Sequence, residues 1–343
     1  MKRTLLLASL IIIAFDLTNP AFAYKEQDLT KLKAANACQG CDLAEAYLHG
    51  ITLDGANLSG ANLNRATLSV AKLIGVDLSQ SSLKDAKLRY CNLSRAKLER
   101  SNLNGADLIG ANLSGADLVD AKIVGANLSG AELVGAKLAR VDIRGANFSG
   151  ADLSEADLSN ANLNSTNLSD ANLSGANLTG ADLRGVNLSG VDLRTTNLFQ
   201  AYLRNANLSG VDLRTTNFSN LNLSGTDLSG ADLSDANFSR ADLTGANLSG
   251  VDLRFTNLYE TKLRGANMSG VDLRKTNFYK LNLSSVNLSG AILRQTDLRE
   301  ADLSLSNLRG ADLRGASLRG ANLRGAQFCN TRMPSWEVKN DDC

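Results

Sequence analysis

The chain has 343 residues with 36 basic and 35 acidic side chains, which is not the one-sided charge needed to bind or mimic nucleic acid. Its single histidine, His49, excludes His-based metal centres and leaves the many serines without the usual base of a Ser-His pair. Neither a metal nor a cofactor is expected, and the chain does not read as an enzyme.

The first 23 residues read as a secretory signal peptide. Lys2 and Arg3 form the basic end, Leu5 to Phe15 the apolar stretch, and Ala21-Phe22-Ala23 the small-x-small cleavage site. Asp16 closes the apolar stretch before it is long enough to span a bilayer; an uncleaved interfacial anchor is the alternative. The mature chain would begin near Tyr24, and no later segment is apolar enough to enter a membrane. Without Lys2, Arg3 and Asp16 it carries 34 basic and 34 acidic residues, unevenly spread: −6 over 141–250 and +4 over 251–343.

Residues 24–37 lack any five-residue pattern and read as a cap. Asp28 is placed to cap a short helix whose Leu29, Leu32 and Ala35 would lie over the first coil.

Residues 38–330 are one repeat array. From Leu43 to Phe328 every fifth residue is large and apolar, 58 positions without a slip, of which 50 are Leu. Two residues earlier stands a mostly small residue, usually Ala, with a polar residue between. On an α-helix a five-residue step turns the chain by about 500°, so no apolar face could form. In extended chain the small residue and the Leu share one side and the polar residue faces out. The last two residues of each unit must then turn a corner. All 29 glycines occupy the fifth position, where such a corner asks for positive φ.

The string Val-Asp-Leu-Arg begins at 191, 211, 251 and 271, and 189–228 resembles 249–288 at an offset of 60. Spacings of 20 and 60 predict 20 residues per coil, a four-sided parallel β-helix of about 14.5 coils. At ~4.8 Å per coil the rod is roughly 70 Å long. Phe218 and Phe238, 20 residues apart, should stack inside it.

Residues 331–343 form the closing tail, in which Trp336 and Val338 are available to plug the last coil. Five cysteines in an exported chain predict pairing with one left over. Cys38 and Cys41 stand at the mouth of the array, and Cys329 and Cys343 bracket the tail. Cys91 occupies a small inward position, two and a half coils from Cys41 and therefore on the opposite wall, too far to bridge. Cys38-x-x-Cys41 is either a structural disulfide or a redox pair, although it precedes a β-coil rather than a helix N-terminus.

Arg194, Arg214, Arg254, Arg274, Arg294 and Arg314 share one position of the coil, interrupted by Ser234. Asp192, Asp212, Asp252, Asp272 and Asp312 stand two residues before and can neutralise them. The column is either a self-satisfied ladder or, with Phe199, Phe255, Tyr259 and Tyr279 beside it, a protein-binding surface. The residues assigned to that surface are Arg254, Phe255, Tyr259, Arg274 and Tyr279.

The A-(D/N)-L-x-x unit, repeated over about five-sixths of the chain, resembles the pentapeptide-repeat family. The resemblance implies a right-handed quadrilateral parallel β-helix. The entry Cys38-Gln39-Gly40-Cys41-Asp42-Leu43 and the exit Phe328 to Pro334 are similar to exported cyanobacterial members, which implies a periplasm or thylakoid lumen. Ser335-Trp336 departs from the Asp-Gly that many relatives carry after that proline. The expected function is a non-catalytic exported scaffold, a monomer or end-to-end dimer, that binds a protein or envelope partner through its outer walls. A nucleic-acid-mimicking inhibitor and a thiol–disulfide protein using Cys38 and Cys41 are the alternatives.

Overall fold

The computed structural model describes residues 24–343, and the expected signal peptide lies outside the described residues. Residues pair in parallel with partners 20 further on, from Ala37 with Asn57 to Asp312 with Arg332. Each polar middle residue does the pairing. Asn62 donates its N–H to the Cys41 carbonyl at 2.8 Å and accepts the Leu43 N–H at 2.7 Å, both in the preceding coil. Its neighbours Ala61 and Leu63 serve Ser82 of the next coil in the same way. Only three residues fit between corners, so each wall contributes a single bridge rather than a continuous strand.

At each corner the Leu carbonyl accepts the N–H three residues on, as from Ala61 to Leu58 at 3.0 Å. At all but two corners the third residue of that turn takes positive φ, as a type II turn requires. This holds for Gly60, at 67°, and equally for Arg65, at 57°. A side chain there costs roughly 1 kcal/mol relative to glycine, which a closed ladder on both sides outweighs.

Small and large inward residues stack coil on coil. Ala61 and Leu63 are fully buried, and the Phe218 and Phe238 rings stack with centroids 5.1 Å apart. Cys91 is the one free cysteine among the described residues; burial pushes its thiol up to about 12.

The two ends differ from the sequence reading in detail. Helix α1, Glu26–Ala35, has Lys25 rather than Asp28 at its N-cap position. Asp28 lies inside the helix, where its carboxylate accepts the Asp42 N–H at 2.8 Å. The open edge of the first coil needs that acceptor more than the exposed helix start does. Leu32 is buried against the first coil and Leu29 packs beside it, while Ala35 is exposed.

At the other end β1, Thr331–Arg332, pairs antiparallel with β2, Val338–Lys339. The turn between them carries Trp336 outside, so Trp336 and Val338 do not plug the last coil; both are exposed. Met333 packs partly against the core instead, and the Asp342 carboxylate accepts the Phe328 N–H at 2.7 Å. Disulfides join Cys38 to Cys41 and Cys329 to Cys343. No helix among the described residues is long and apolar enough to cross a membrane.

Candidate partner-binding wall

The arginine column stands at one corner of successive coils because Arg fills the fourth position of its unit, directly after the inward Leu. Each Arg bends back to the Asp two residues earlier. Arg194, Arg214 and Arg274 each meet their own Asp at 2.6 Å, and Arg254 meets Asp252 in the same manner. Secondary contacts link coils: Arg194 reaches Asp212 at 3.3 Å and Arg254 reaches Asp272 at 3.7 Å. These bonds hold the carboxyls low, Asp212 down to about 2, chiefly through the Arg214 guanidinium.

The ladder has one irregularity. Position 292 is Ile, so Arg294 has no aspartate of its own and leans on Asp312 at 2.6 Å. Asp312 therefore serves both Arg294 and Arg314, and their hydrogen bonds hold its carboxyl well below the usual range. Five cations, Arg254, Arg274, Lys275, Arg294 and Arg314, thus meet three carboxylates, Asp252, Asp272 and Asp312.

Those cations line a cleft of about 580 Å³ closed by an aromatic ring at each end. Phe255 is 71% exposed with the Arg254 guanidinium 5.7 Å from its ring centre. Trp336 is 72% exposed and lies 5.1 Å from Arg314. Unpaired, desolvatable rings beside guanidinium groups are what protein interfaces select. Trp336 was missed as a member of this wall because the sequence gives no sign that the tail folds back beside Arg314.

The five residues assigned from sequence do not form a single patch. Arg254, Phe255 and Arg274 belong to this cleft, whereas Tyr259 and Tyr279 lie round the corner in a second cleft of about 370 Å³, which also includes Arg254. There Tyr279 is flanked by Lys280 at 4.9 Å and Arg299 at 5.4 Å from its ring centre. Elsewhere, His49 is exposed and stacks on Tyr47 at 6.0 Å. Asp28, Cys38 and Cys41 come together, but both sulfurs are buried and joined to each other, so they offer no thiolate to a metal.

The pentapeptide-repeats family model matches in eight copies, from residues 38–80 through to 296–333. The chain belongs to the pentapeptide-repeat family. Members of this family are generally non-enzymatic, and their quadrilateral β-helix is the architecture described above. No curated protein matches. Among solved structures, the chain is similar to a trypsin-treated variant of QnrB1, a plasmid-mediated fluoroquinolone resistance protein. Identity is 27% over 56% of this chain and 88% of that one, with a TM-score of 0.40. The pentapeptide repeat protein HetL, involved in heterocyst differentiation regulation in Nostoc sp. strain PCC 7120, is 28% identical over 91% of this chain and 98% of its own, with a TM-score of 0.18. A pentapeptide repeat protein from the thylakoid lumen of Arabidopsis thaliana is 32% identical over 30% of this chain and 65% of its own, with a TM-score of 0.14.

Proposed function

We propose that this pentapeptide-repeat protein is an exported, non-catalytic scaffold that binds an acidic protein partner through the wall running from Phe255 to Trp336. The observation that carries the reading is the cationic cleft of about 580 Å³ with an exposed ring at each end. In this reading a rod of about 14.5 coils, capped at one end by α1, is set in a periplasm or thylakoid lumen, and 331–343 is the tail that completes the site with Trp336. The signal-like residues 1–23 support that compartment. The alternative of a nucleic-acid-mimicking inhibitor needs an acidic surface, and an arginine-lined cleft in the most basic third of the chain is the wrong polarity for it.

Affinity capture from the exported compartment tests the reading. The variant carrying Arg254→Ser, Phe255→Ser, Tyr259→Thr, Arg274→Ser and Tyr279→Thr should lose the captured partner. Its stability should change modestly, because exposed ion pairs contribute ~0–1 kcal/mol each. Capture that survives all five substitutions would remove the interface.

A further inference from the structure

The sequence similarity of 189–228 to 249–288, at an offset of 60, is matched by a repeated fault in the ladder. Bridges 20 residues apart run unbroken on all four walls except at six places. Asn172 and Asp192, Asn197 and Asn217, and Tyr202 and Asn222 are unbridged; so are the three equivalent pairs 60 residues on. In each copy the chain leaves the preceding coil at 192 or 252 and the following coil at 197 and 202 or 257 and 262. The changeover falls at two corners that hold Thr195 and Phe255. From Gly40 to Asn330 these are the only fifth-position residues without positive φ.

A packing cause is present. The small inward position holds Leu at only two places, Leu221 and Leu281, again 60 apart. Each stands between coils that offer Ala or Thr in that slot, so the extra carbons force the coils apart. Ile51 fills the same position harmlessly, because α1 rather than a coil precedes it.

The result is a pair of equivalent clefts. One, of about 570 Å³, lies between 193–200 and 215–221; the other, of about 370 Å³, lies between 254–260 and 275–281. In both, a buried threonine hydroxyl, Thr216 or Thr276, has no hydrogen-bond partner. Other inward threonines donate to a carbonyl 23 residues earlier, as Thr166 does to Ile143 at 2.9 Å and Thr296 to Leu273 at 2.8 Å, or three residues earlier, as Thr226 does to Leu223 at 2.7 Å. For Thr216 and Thr276 the carbonyl 23 residues earlier belongs to Leu193 and Leu253, on the displaced corners. The N–H groups of Leu198, Gln200 and Asn217, and of Leu258, Glu260 and Asn277, likewise find no backbone carbonyl, whereas Leu188 and Leu248 donate at 2.9 and 2.7 Å.

What the clefts share is therefore unpaired backbone and one hydroxyl; what they do not share is their rims. Each has an arginine, Arg194 or Arg254, turned to its own aspartate. Beyond it, Phe199, Gln200, Thr215 and Asn220 edge one, and Tyr259, Glu260, Lys275 and Lys280 edge the other, with Glu260 paired to Arg240 and Lys280 to Glu300. The free groups stand on two facing lips, the Leu198 and Gln200 N–H on one coil and the Asn217 N–H on the next, and an extended polypeptide laid between such lips can pair with both. We propose that the twin clefts are a tandem β-strand dock: each takes one extended segment of a partner polypeptide, a neutral one beside Phe199 and an acidic one between Lys275 and Lys280. Three coils of ~4.8 Å set the two segments about 14 Å apart. The assignment rests on the reading of the outer walls as a protein-binding surface and adds what part of the protein they bind.

Hydrogen exchange on the purified protein tests the openings first. The six amides should exchange at least about a hundredfold faster than those of Leu188 and Leu248; equal protection would overturn the proposal. A blocked octapeptide of alternating Thr and Glu is then added, beside an analogue with alternate amides N-methylated. The parent peptide should protect Leu258, Glu260 and Asn277, and the other three amides at a roughly tenfold higher concentration. The analogue keeps the charge but loses the donors, so protection by it to the same extent would show a charge effect only and overturn the proposal. Leu221→Ala removes the extra carbons from the small slot beside the lower cleft. It should close the lower cleft alone, slow its three amides to the neighbouring rate and halve the peptide stoichiometry; two bound peptides after that substitution would again overturn it. Since Leu221 and the lower cleft lie outside the arginine cleft, peptide docking there and partner capture at Arg254 and Trp336 can fail independently.

Discussion

The coils over 38–170 and those over 189–288 are written in the same five-residue unit, yet only the first run keeps every bridge to its neighbours. The first run carries Arg65, Arg95, Arg100 and Arg140 at positive φ without any loss of pairing, so a bulky fifth residue alone does not open the ladder. The difference lies inside. The regular coils have Ala, Ser, Thr, Val or Cys in the small slot, apart from Ile51 next to α1, while Leu221 and Leu281 overfill theirs. In this fold the inward small residue sets coil spacing, and the corner residue adjusts to it.

The largest expected effect comes from placing a charge in each region. Leu113→Asp, in the continuous ladder, should cost more than about 4 kcal/mol and unfold the neighbouring coils, because a carboxylate there has neither water nor partner. Leu221→Asp, at an opened cleft, should cost markedly less. Urea unfolding of the two proteins checks this, and equal losses would break the contrast.

Truncation should next differ in sign. Leu113→Ala should cost about 2–5 kcal/mol, as buried Leu-to-Ala changes do. Leu221→Ala with Leu281→Ala should be neutral or raise the melting temperature, because relief of overpacking lets four bridges re-form. Calorimetry on both variants would separate these outcomes.

Acid should act mainly on the second region. Arg–Asp hydrogen bonds depress the Asp192, Asp212, Asp252, Asp272 and Asp312 carboxyls, with Asp212 down to about 2. A depressed carboxyl adds stability that is complete above its unfolded value of about 4 and is lost as the pH falls through the folded value. The urea midpoint of the 189–314 coils should therefore fall between pH 4 and pH 2, and less over 38–170, where there are fewer such pairs. Exchange rates read region by region would show it.

The smallest effect is a chemical one. Cys91, buried in the continuous ladder with its thiol pushed up to about 12, should resist alkylation at neutral pH until the rod unfolds. Rapid labelling of the native protein would mean that the first region opens too.

The coil length, the inward and outward faces and the Arg–Asp pairing were legible because each repeats many times and each follows from extended-chain geometry. The ends were read less well, since they occur once: Asp28 was assigned to the helix start but serves the coil edge, and Trp336 was assigned to the core but faces Arg314. The twin faults had a visible signal in Leu221 and Leu281, two large residues in a small slot. Its meaning depended on what stacks above and below, which no single repeat reveals. The five surface residues divide between two clefts for a related reason: Tyr259 and Tyr279 lie five residues past Arg254 and Arg274, and five residues in this fold is one corner.

Through both faults one wall stays paired. Asn187 with Asn207, then Asn207 with Asp227, and later Asn247 with Asn267, then Asn267 with Asn287, hold while the other three walls part. Between the coils that form each cleft the adjoining wall is bridged as well, Asp192 with Asp212 and Asp252 with Asp272, so widening a cleft would tilt the coils about those two walls. Because the faults are a whole number of coils apart, both tilts have the same direction and add. Such tilts would curl the rod away from the clefts, whereas 38–170, bridged on all four walls, would stay straight. A partner that wedges both clefts would bend the molecule, and one that bends it would open them.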